Sequence, residues 1–326
     1  MSLTLGFTGD VMLGRLVDEH HRHGQPEAVW GDLSDHLRGL DGLFMNLECT
    51  IAEGGSPWER TSRAFHFRAH PDWAIDALTA IDLDWVTLAN NHALDFEVEA
   101  LEETLDHLDA AGITVGGAGR TAASACAPRM VEIGPLRIGL LAATDNTPEY
   151  AAEESRPGTC YTALGAPARE RLGSLLSDVR NHDPDLIVAS LHWGPNMTTE
   201  PNEARRSLAH WLLDRGVDVI HGHSAHVFHG IEVVDGKPVM YDTGDFVDDY
   251  AVDATLRNDH SFLFELTVTE EGSLESLDLI PTVIEGYAVH RARGRSATWC
   301  RSTMRERSER FDTTFERVDE GLRVEL

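Results

Sequence analysis

The amino-acid sequence predicts an α/β fold with a largely buried central sheet. Short apolar runs typical of strands alternate with amphipathic helical patterns up to residue 222, and this alternation is typical of layered α/β proteins. After residue 227 the pattern changes to paired strands joined by short turns. No apolar run reaches the roughly 18 residues that a membrane-spanning helix needs. The chain of 326 residues is long enough to bury a substantial core.

Each element before residue 223 has a local signal. The predicted strands are apolar runs bounded by polar or turn-forming residues, at 3–8, 42–47, 84–90, 113–117, 129–133, 136–143, 185–191 and 217–222. The predicted helices repeat apolar residues every three or four positions, at 71–81, 97–112, 167–182 and 202–216. Gly112 is a typical stop signal for the second of these helices.

The remainder of the chain predicts antiparallel strands and a final helix. "VFHGIEVVDGKPVMYDTGDF" predicts two strands joined at "DGK", and 261–284 predicts a second pair around "EEG". The Arg- and Glu-rich end predicts a helix at 301–320. We therefore predict one main domain at 1–285 and a C-terminal helical extension at 286–326 that packs on the same domain.

The chain is strongly acidic. Its formal net charge is −28, from 55 Asp and Glu against 27 Lys and Arg, and Lys237 is its single lysine. Such a surface repels nucleic-acid backbones, so no nucleic-acid partner is expected. The composition suits a halophilic host, whose salt-rich cytoplasm screens charge repulsion, but a GC-rich genome also favours arginine over lysine.

The cysteines and the N-terminus indicate a cytoplasmic protein. Cys49, Cys126, Cys160 and Cys300 are isolated and form neither a disulfide framework nor a CxxC metal pattern, so reduced thiols are expected. The segment "MSLTLGFTGD" begins a strand without the basic region and cleavage site of a signal peptide. We predict cytoplasmic localisation and no membrane anchor.

Polar side chains follow five of the predicted strands. In open α/β sheets, functional groups gather beyond the carboxyl ends of strands. Alone, each of these residues is more typical of a turn, a helix cap or a solvated loop, but their coincidence at five strand ends favours a shared site. They are Asp10, Glu48, Asn91, His92, His192, His221, His223 and His226.

The chemistry of this set predicts a divalent metal centre. Oxygen and nitrogen donors without thiolates favour Mn, Fe or Zn ions over a structural zinc site. Six or so ligands exceed what one tetrahedral ion needs, but they suit two ions about 3.5–4 Å apart that share a carboxylate. The segment "VIHGHSAHVFHG" (219–230) then supplies neutral nitrogen ligands from one loop. We predict one or two divalent ions that activate water.

Seven short motifs occur in order along the chain. They are "GDVMLGR" (9–15), "NLE" (46–48), "FHFRAHP" (65–71), "LANNHALDF" (88–96), "LHWG" (191–194), "HGHSAHV" (221–227) and "YDTGDF" (241–246). Together they resemble the CapA family, the capsule or poly-γ-glutamate synthesis group within the calcineurin-like metallophosphoesterase superfamily. The resemblance extends from residue 5 to about 285. It implies a four-layer α-β-β-α metallophosphatase-like sandwich with a metal site at the strand ends.

The resemblance implies a role for each matching residue. The implied metal ligands are Asp10 and His226 for the first ion, Asn91, His192 and His223 for the second, and Glu48 as the bridge. His92 resembles the general acid that protonates the leaving oxygen, and Asp95 is placed to orient its ring. The superfamily usually has a metal-binding histidine where this chain has Met12, so a weakened first site is expected.

Four further residues are assigned to the surroundings of the metals. We place Arg68 and Asp245 in the substrate-binding part of the site. Arg68 is a candidate clamp for a phosphate or carboxylate, or else a surface ion-pair partner. Asp245 stands where the family reads Gly-Asn-Phe, and its carboxylate either adds a ligand or repels an anionic substrate. Trp193 is expected to form a wall of the site, and His221 to hydrogen-bond a ligand.

Two functions are compatible with this sequence. The first is a CapA-family metal-dependent hydrolase that attacks a phosphoester or a γ-glutamyl amide, with a small phosphorylated or glutamyl substrate. The second is a non-catalytic component of a capsule synthesis assembly that holds a polyglutamate chain end in the same pocket. The retained ligand set favours the enzyme, and the oligomeric state is left open.

Overall fold

Two β-sheets stacked face to face form the centre of the molecule. The computed structural model describes residues 2–326. The strands are β1 (Ser2–Val11), β2 (Gly42–Leu47), β3 (Thr50–Ile51), β4 (Arg68–Ala69), β5 (Trp85–Thr87), β6 (Thr114–Gly116), β7 (Ala118–Gly119), β8 (Arg129–Ile133), β9 (Leu136–Thr144), β10 (Gly158–Thr159), β11 (Leu186–His192), β12 (Val219–His223), β13 (Ile231–Val234), β14 (Lys237–Met240), β15 (Asp245–Val247), β16 (His260–Thr269), β17 (Leu274–Glu285), β18 (Ala288–Arg291), β19 (Glu316–Val318) and β20 (Gly321–Glu325).

Helices connect most of the parallel strands. The α-helices are α1 (Arg15–His21), α2 (Ser34–Arg38), α3 (Pro71–Thr79), α4 (Glu97–Ala110), α5 (Ala122–Cys126), α6 (Ala166–Arg180), α7 (Glu203–Leu213) and α8 (Gly294–Ser308), and 3-10 helices lie at Pro26–Leu33, Pro148–Tyr150 and Glu309–Phe311. Within residues 2–326, none of these helices combines the length and the apolar character that crossing a bilayer requires. The cellular location stays a prediction.

The strand order explains how two sets of strand ends meet. The larger sheet runs β19-β20-β17-β16-β1-β2-β5-β6, with β15 also paired to β1 and β18 to β17. The smaller sheet runs β13-β14-β12-β11-β9-β8. Strands β1, β2, β5 and β6 are parallel to one another, as are β9, β11, β12 and β14. Each sheet therefore collects several carboxyl ends at one edge.

Three apolar layers stabilise the fold. Phe7 and Phe44 of the larger sheet pack between the sheets with Leu140 and Val188 of the smaller sheet. Since neighbouring residues of a strand point to opposite faces, the outer face of the larger sheet packs against α3 and α4, and that of the smaller sheet against α6 and α7. This arrangement is the predicted four-layer α-β-β-α sandwich.

The C-terminal segment differs from the prediction. The expected helix at 301–320 is instead α8, which ends at Ser308, and two strands follow it. Leu322 and Val324 are buried and alternate with partly or fully exposed neighbours, and β20 pairs with β17 from Leu322 to Glu325. The predicted helical extension is therefore only partly helical. Its last part forms strands, and the alternation of apolar and polar residues that indicates a strand is short there and lies within a highly charged segment.

Two of the four cysteines are paired, which corrects the expectation of reduced thiols. Cys126 and Cys160 form a disulfide across 34 residues of sequence. Antiparallel pairing of β7 with β10 brings the two segments together, since Cys126 ends the short helix after β7 and Cys160 directly follows β10. Cys49 and Cys300 are free and buried. The pairing depends on tertiary contacts, so sequence spacing alone did not indicate it.

Candidate metal centre

The predicted ligands lie where strand ends of the two sheets face each other. Asp10 is the penultimate residue of β1, and Glu48 directly follows β2. His192 and His223 are the last residues of β11 and β12, and these strands place them side by side. All four side chains are almost completely buried. The parallel strands thus bring carboxylates from one sheet against imidazoles from the other.

The first cluster is rich in carboxylates. Asp10, Glu48, His226 and Asp245 each offer one donor atom, and these atoms lie within 4.8 Å of one another. His226 Nδ1 is 2.8 Å from Asp245 Oδ1 and 3.3 Å from Asp10 Oδ2. Asp245, predicted to contact substrate, therefore lies among the candidate ligands of the first ion.

The second cluster is rich in imidazole. Asp10, His192 and His223 again offer donor atoms within 4.8 Å of one another. The Nδ1 atoms of the two histidines are 2.9 Å apart. Asp10 belongs to both clusters, whereas Glu48, the expected bridge, belongs to the first cluster alone. Two ions bound here would therefore share the Asp10 carboxylate, which is the arrangement of two-metal sites.

Several buried oxygen atoms of the site have no hydrogen-bond donor. They are Asp10 Oδ2, both carboxylate oxygens of Glu48, Asp245 Oδ2 and the side-chain oxygen of Asn91, which lies in the loop after β5. A buried polar atom without a partner costs about 1–3 kcal/mol, and more when it is charged. Bound cations would satisfy these atoms, so the donor set fits the implied divalent metal.

The charge states of the ligands depend on burial. Burial, and then the neighbouring charge of Asp10, raise the pKa of Glu48 well above its usual value. Burial likewise raises the pKa of Asp245. For His192, burial lowers the pKa to about 3, and burial lowers the pKa of His223 as well. The two histidines are therefore neutral near pH 7, and neutral imidazole is the form that binds metals.

The loop that carries His226 has an unusual backbone. Ser224 has φ 119° and His226 has φ 60°, values that side chains other than glycine rarely adopt. Gly222 is required just before them, because a Cβ there would lie 2.2 Å from the carbonyl oxygen of Tyr241. Strained backbone of this kind is typical of functional sites.

A second group lies beside the carboxylate cluster. His92 Nδ1 is 2.6 Å from Asp95 Oδ2, and its Nε2 is 3.9 Å from Glu48 Oε1. Asp95 also accepts hydrogen bonds from the backbone N–H of Phe67 and the hydroxyl of Tyr150. The ring of Phe67 stacks on that of His92 with centroids 3.9 Å apart. These contacts fix the orientation of His92 and point its Nε2 at the candidate metal site.

The other predicted residues have different surroundings. His221 contacts the candidate ligand His223 only indirectly, because the hydroxyl of Ser190 lies between His221 Nδ1 and His223 Nε2. Trp193 does not form a wall of the site, because it packs in the apolar layer under α6 and α7. Since His192 precedes it in the chain, their side chains point to opposite faces of the sheet. Arg68 donates to the carbonyl oxygen of Gly54 and lines a separate cavity of about 530 Å³.

Comparison with known proteins gives the family. The chain matches the model of the bacterial capsule synthesis protein PGA_cap over residues 4–250. It belongs to this family. A probable polyglutamine synthesis accessory protein of Mycobacterium tuberculosis is 33% identical over 95% of this chain and 92% of its own length. The PGA biosynthesis protein CapA of Bacillus subtilis is 26% identical over 76% of this chain and 63% of its own. The resemblance to CapA proteins is thus confirmed.

Solved structures share the fold of this PGA_cap member. A Staphylococcus aureus protein described as a 5'-nucleotidase, solved with alpha-ketoglutarate, superposes with a TM-score of 0.51 and 15% identity, covering 94% of this chain and 58% of that one. A hypothetical protein of Thermus thermophilus gives a TM-score of 0.50 at 16% identity, covering 89% of this chain and all of the other. These likenesses confirm the metallophosphatase-like fold.

Three residues of this PGA_cap chain were not singled out from its sequence. Asn46 donates to Asp10 Oδ1 at 2.7 Å, and Asn90 donates to the side-chain oxygen of Asn46 at 2.9 Å. Asn46 and Asn90 both lie within the seven sequence motifs, so these motifs could have identified them. Tyr150, which donates to Asp95, lies outside every motif and left no signal.

Outside the metal clusters, His229 predicts acid sensitivity. Burial lowers its pKa to about 3, and it contacts the carbonyl oxygen of Thr198 at 2.8 Å. In the unfolded chain a histidine has a pKa of about 6.5, so below that pH the unfolded state binds a proton that the folded state excludes. The free energy of unfolding should therefore fall by about 2 kcal/mol between pH 7 and pH 5 from this residue alone.

Urea unfolding of the parent protein and His229→Gln at pH 7 and pH 5 measures this contribution. The variant should lose less stability between the two pH values, whatever its stability at pH 7. An equal pH-dependent loss in both proteins would show that His229 does not titrate as described.

Proposed function

We propose that this protein is a metal-dependent hydrolase that cleaves a phosphoester or a γ-glutamyl amide. The observation that carries the proposal is the convergence of buried carboxylates and imidazoles where the strand ends of the two sheets face each other. His226 Nδ1 lies within 4.0 Å of all three carboxylates of the first cluster, but four of their oxygens accept no hydrogen bond, so contacts within the protein alone explain them poorly. The metallophosphatase-like fold supports the same reaction class.

The residues divide into a metal-holding and a proton-transferring set. The metal-holding set is Asp10, Glu48, Asn91, His192, His223 and His226. Divalent ions bound there would supply an activated water molecule and neutralise charge that develops on the substrate. His92 would donate a proton from Nε2 to the leaving oxygen of a phosphoester or the leaving nitrogen of an amide, because its Nδ1 is held by Asp95.

The surface charge restricts the substrate. A chain with a net charge of −28 repels a long polyanion at low salt, which slows association and weakens binding. A small phosphorylated or glutamyl substrate is less affected, since fewer charges approach the surface together. We therefore propose a small substrate at low ionic strength, and longer glutamyl chains only at high salt.

A non-catalytic role in a polyglutamate assembly is the second candidate. It is favoured by the name of the M. tuberculosis relative, which describes an accessory protein. In this alternative, the same metal centre holds the carboxylates of a chain end, and His92 has no proton to transfer.

A substrate screen separates the two candidates. Chelator-treated full-length protein is reloaded with Mn²⁺ and assayed with p-nitrophenyl phosphate, bis-p-nitrophenyl phosphate and γ-glutamyl oligomers at low and high salt. We expect metal-dependent turnover of at least one substrate. Bound metal and retained γ-glutamyl oligomer without any turnover would favour the assembly component instead. Absence of bound metal after reloading would contradict both candidates.

A further inference from the structure

We propose that Asp245 is a ligand of the first metal ion and replaces the donor that Met12 cannot provide. This inference rests on the metal centre of the proposed function and adds the class of ion that its first position selects. It also moves Asp245 from the predicted substrate-binding group to the metal-binding group.

Met12 is unavailable as a ligand because its sulfur is already engaged. The backbone N–H of Gly14 donates to Met12 Sδ at 3.0 Å, and the side chain is completely buried. A thioether is also a soft donor that suits neither Mn²⁺ nor a carboxylate-rich site. Position 12 therefore supplies no ligand to the first cluster.

The backbone brings Asp245 directly beside Asp10. Strand β15 pairs in parallel with β1, with Asp245 opposite Asp10, and the N–H of Asp10 donates to the carbonyl oxygen of Gly244 at 2.8 Å. This approach requires Gly9, because a Cβ there would lie 1.9 Å from the same carbonyl oxygen. The local sequence is therefore built to hold the two carboxylates together.

The contacts of Asp245 leave one oxygen free for a cation. Its Oδ1 is 2.8 Å from His226 Nδ1, whereas its Oδ2 is buried without a donor. Glu48 and Asp10 present further oxygens without donors in the same cluster. A carboxylate placed against two others is costly unless a cation lies between them.

The two clusters then differ in the ion that they favour. The first offers three carboxylates and one imidazole, a hard, oxygen-rich set that suits Mn²⁺ or Mg²⁺. The second offers two imidazoles and one shared carboxylate, a set that suits Zn²⁺ or Fe²⁺. We infer a centre with a hard ion in the first position and a softer ion in the second.

Metal binding without substrate tests this assignment. Chelator-treated full-length protein is titrated with Mn²⁺ by isothermal calorimetry and electron paramagnetic resonance, with and without one equivalent of Zn²⁺. Loss of a residue that hydrogen-bonds a metal ligand typically lowers the metal affinity by about 10–100-fold. Loss of the ligand itself in Asp245→Ala should therefore weaken Mn²⁺ binding by at least about 100-fold. Asp245→Asn keeps a side-chain oxygen but not the charge, so its Mn²⁺ affinity should lie between those of the parent protein and Asp245→Ala. Zn²⁺ affinity should change little.

Asp249→Asn is the matched control. It removes the same charge from a position four residues further along the chain, but Asp249 binds the guanidinium of Arg15 and the N–H of Leu16, outside both clusters. Wild-type Mn²⁺ affinity in Asp249→Asn supports the assignment, and thermal unfolding of each metal-free variant checks its fold. Equal losses in Asp249→Asn and Asp245→Asn, or unchanged Mn²⁺ affinity in folded Asp245→Asn and Asp245→Ala, would overturn it. Either result would leave the hydrolase proposal standing.

Discussion

Replacing Asp10 by Asn is expected to abolish metal binding at both clusters and, with it, metal-dependent hydrolysis. Among residues 2–326, Asp10 is the one acidic or imidazole side chain that belongs to both candidate metal groups. Its Oδ1 accepts a hydrogen bond from Asn46, which leaves Oδ2 for the ions. Loss of the shared charge should lower the affinity of each site by at least about 100-fold.

A comparison with His192→Gln makes this prediction specific. His192 belongs to the second cluster alone, so its replacement should remove one ion and leave the carboxylate-rich site able to bind Mn²⁺. Elemental analysis of dialysed proteins gives the metal content per chain, and thermal unfolding checks that each variant is folded. If Asp10→Asn retained as much metal as His192→Gln, the shared position of Asp10 would be contradicted.

The sequence predicted the sheet-forming part of the molecule well. The predicted strands 42–47 and 129–133 have the same ends as β2 and β8, because turn-forming residues bound both runs in the sequence. The site was predictable for the same reason. Side chains at the ends of parallel strands meet at one edge of their sheet, so Asp10 lies near Glu48 and His192 lies near His223, and the stacking of the two sheets brings these edges together.

The errors arise where a contact depends on a neighbour far away in sequence. Trp193 follows a ligand, but alternation along β11 turns its ring into the opposite layer. The Cys126–Cys160 pair depends on β7 meeting β10, and neither strand is long enough to show a period. The position of Asp245 beside Asp10 could not be inferred either, because three residues of strand do not indicate pairing with β1.

Replacing His92 by Gln is expected to lower turnover by about 10²–10⁴-fold without loss of bound metal, because a positioned general acid contributes about that much. The effect should depend on the leaving group. p-Nitrophenolate departs readily without a proton, whereas an alkoxide needs one, so a methyl phosphodiester should lose far more turnover than bis-p-nitrophenyl phosphate.

Substitutions of the residues that orient His92 should show the same dependence on the leaving group, with smaller losses of turnover. Asp95→Asn removes the charge that orients the ring, and Tyr150→Phe removes a hydrogen bond of 3.2 Å to Asp95. We expect both to lower turnover of the methyl ester more than that of the nitrophenyl ester, with Asp95→Asn the larger effect. Assays of both substrates at matched metal content measure this ratio. An equal loss on the two substrates would mean that His92 positions the substrate or supports the pocket, because proton donation alone distinguishes the two leaving oxygens.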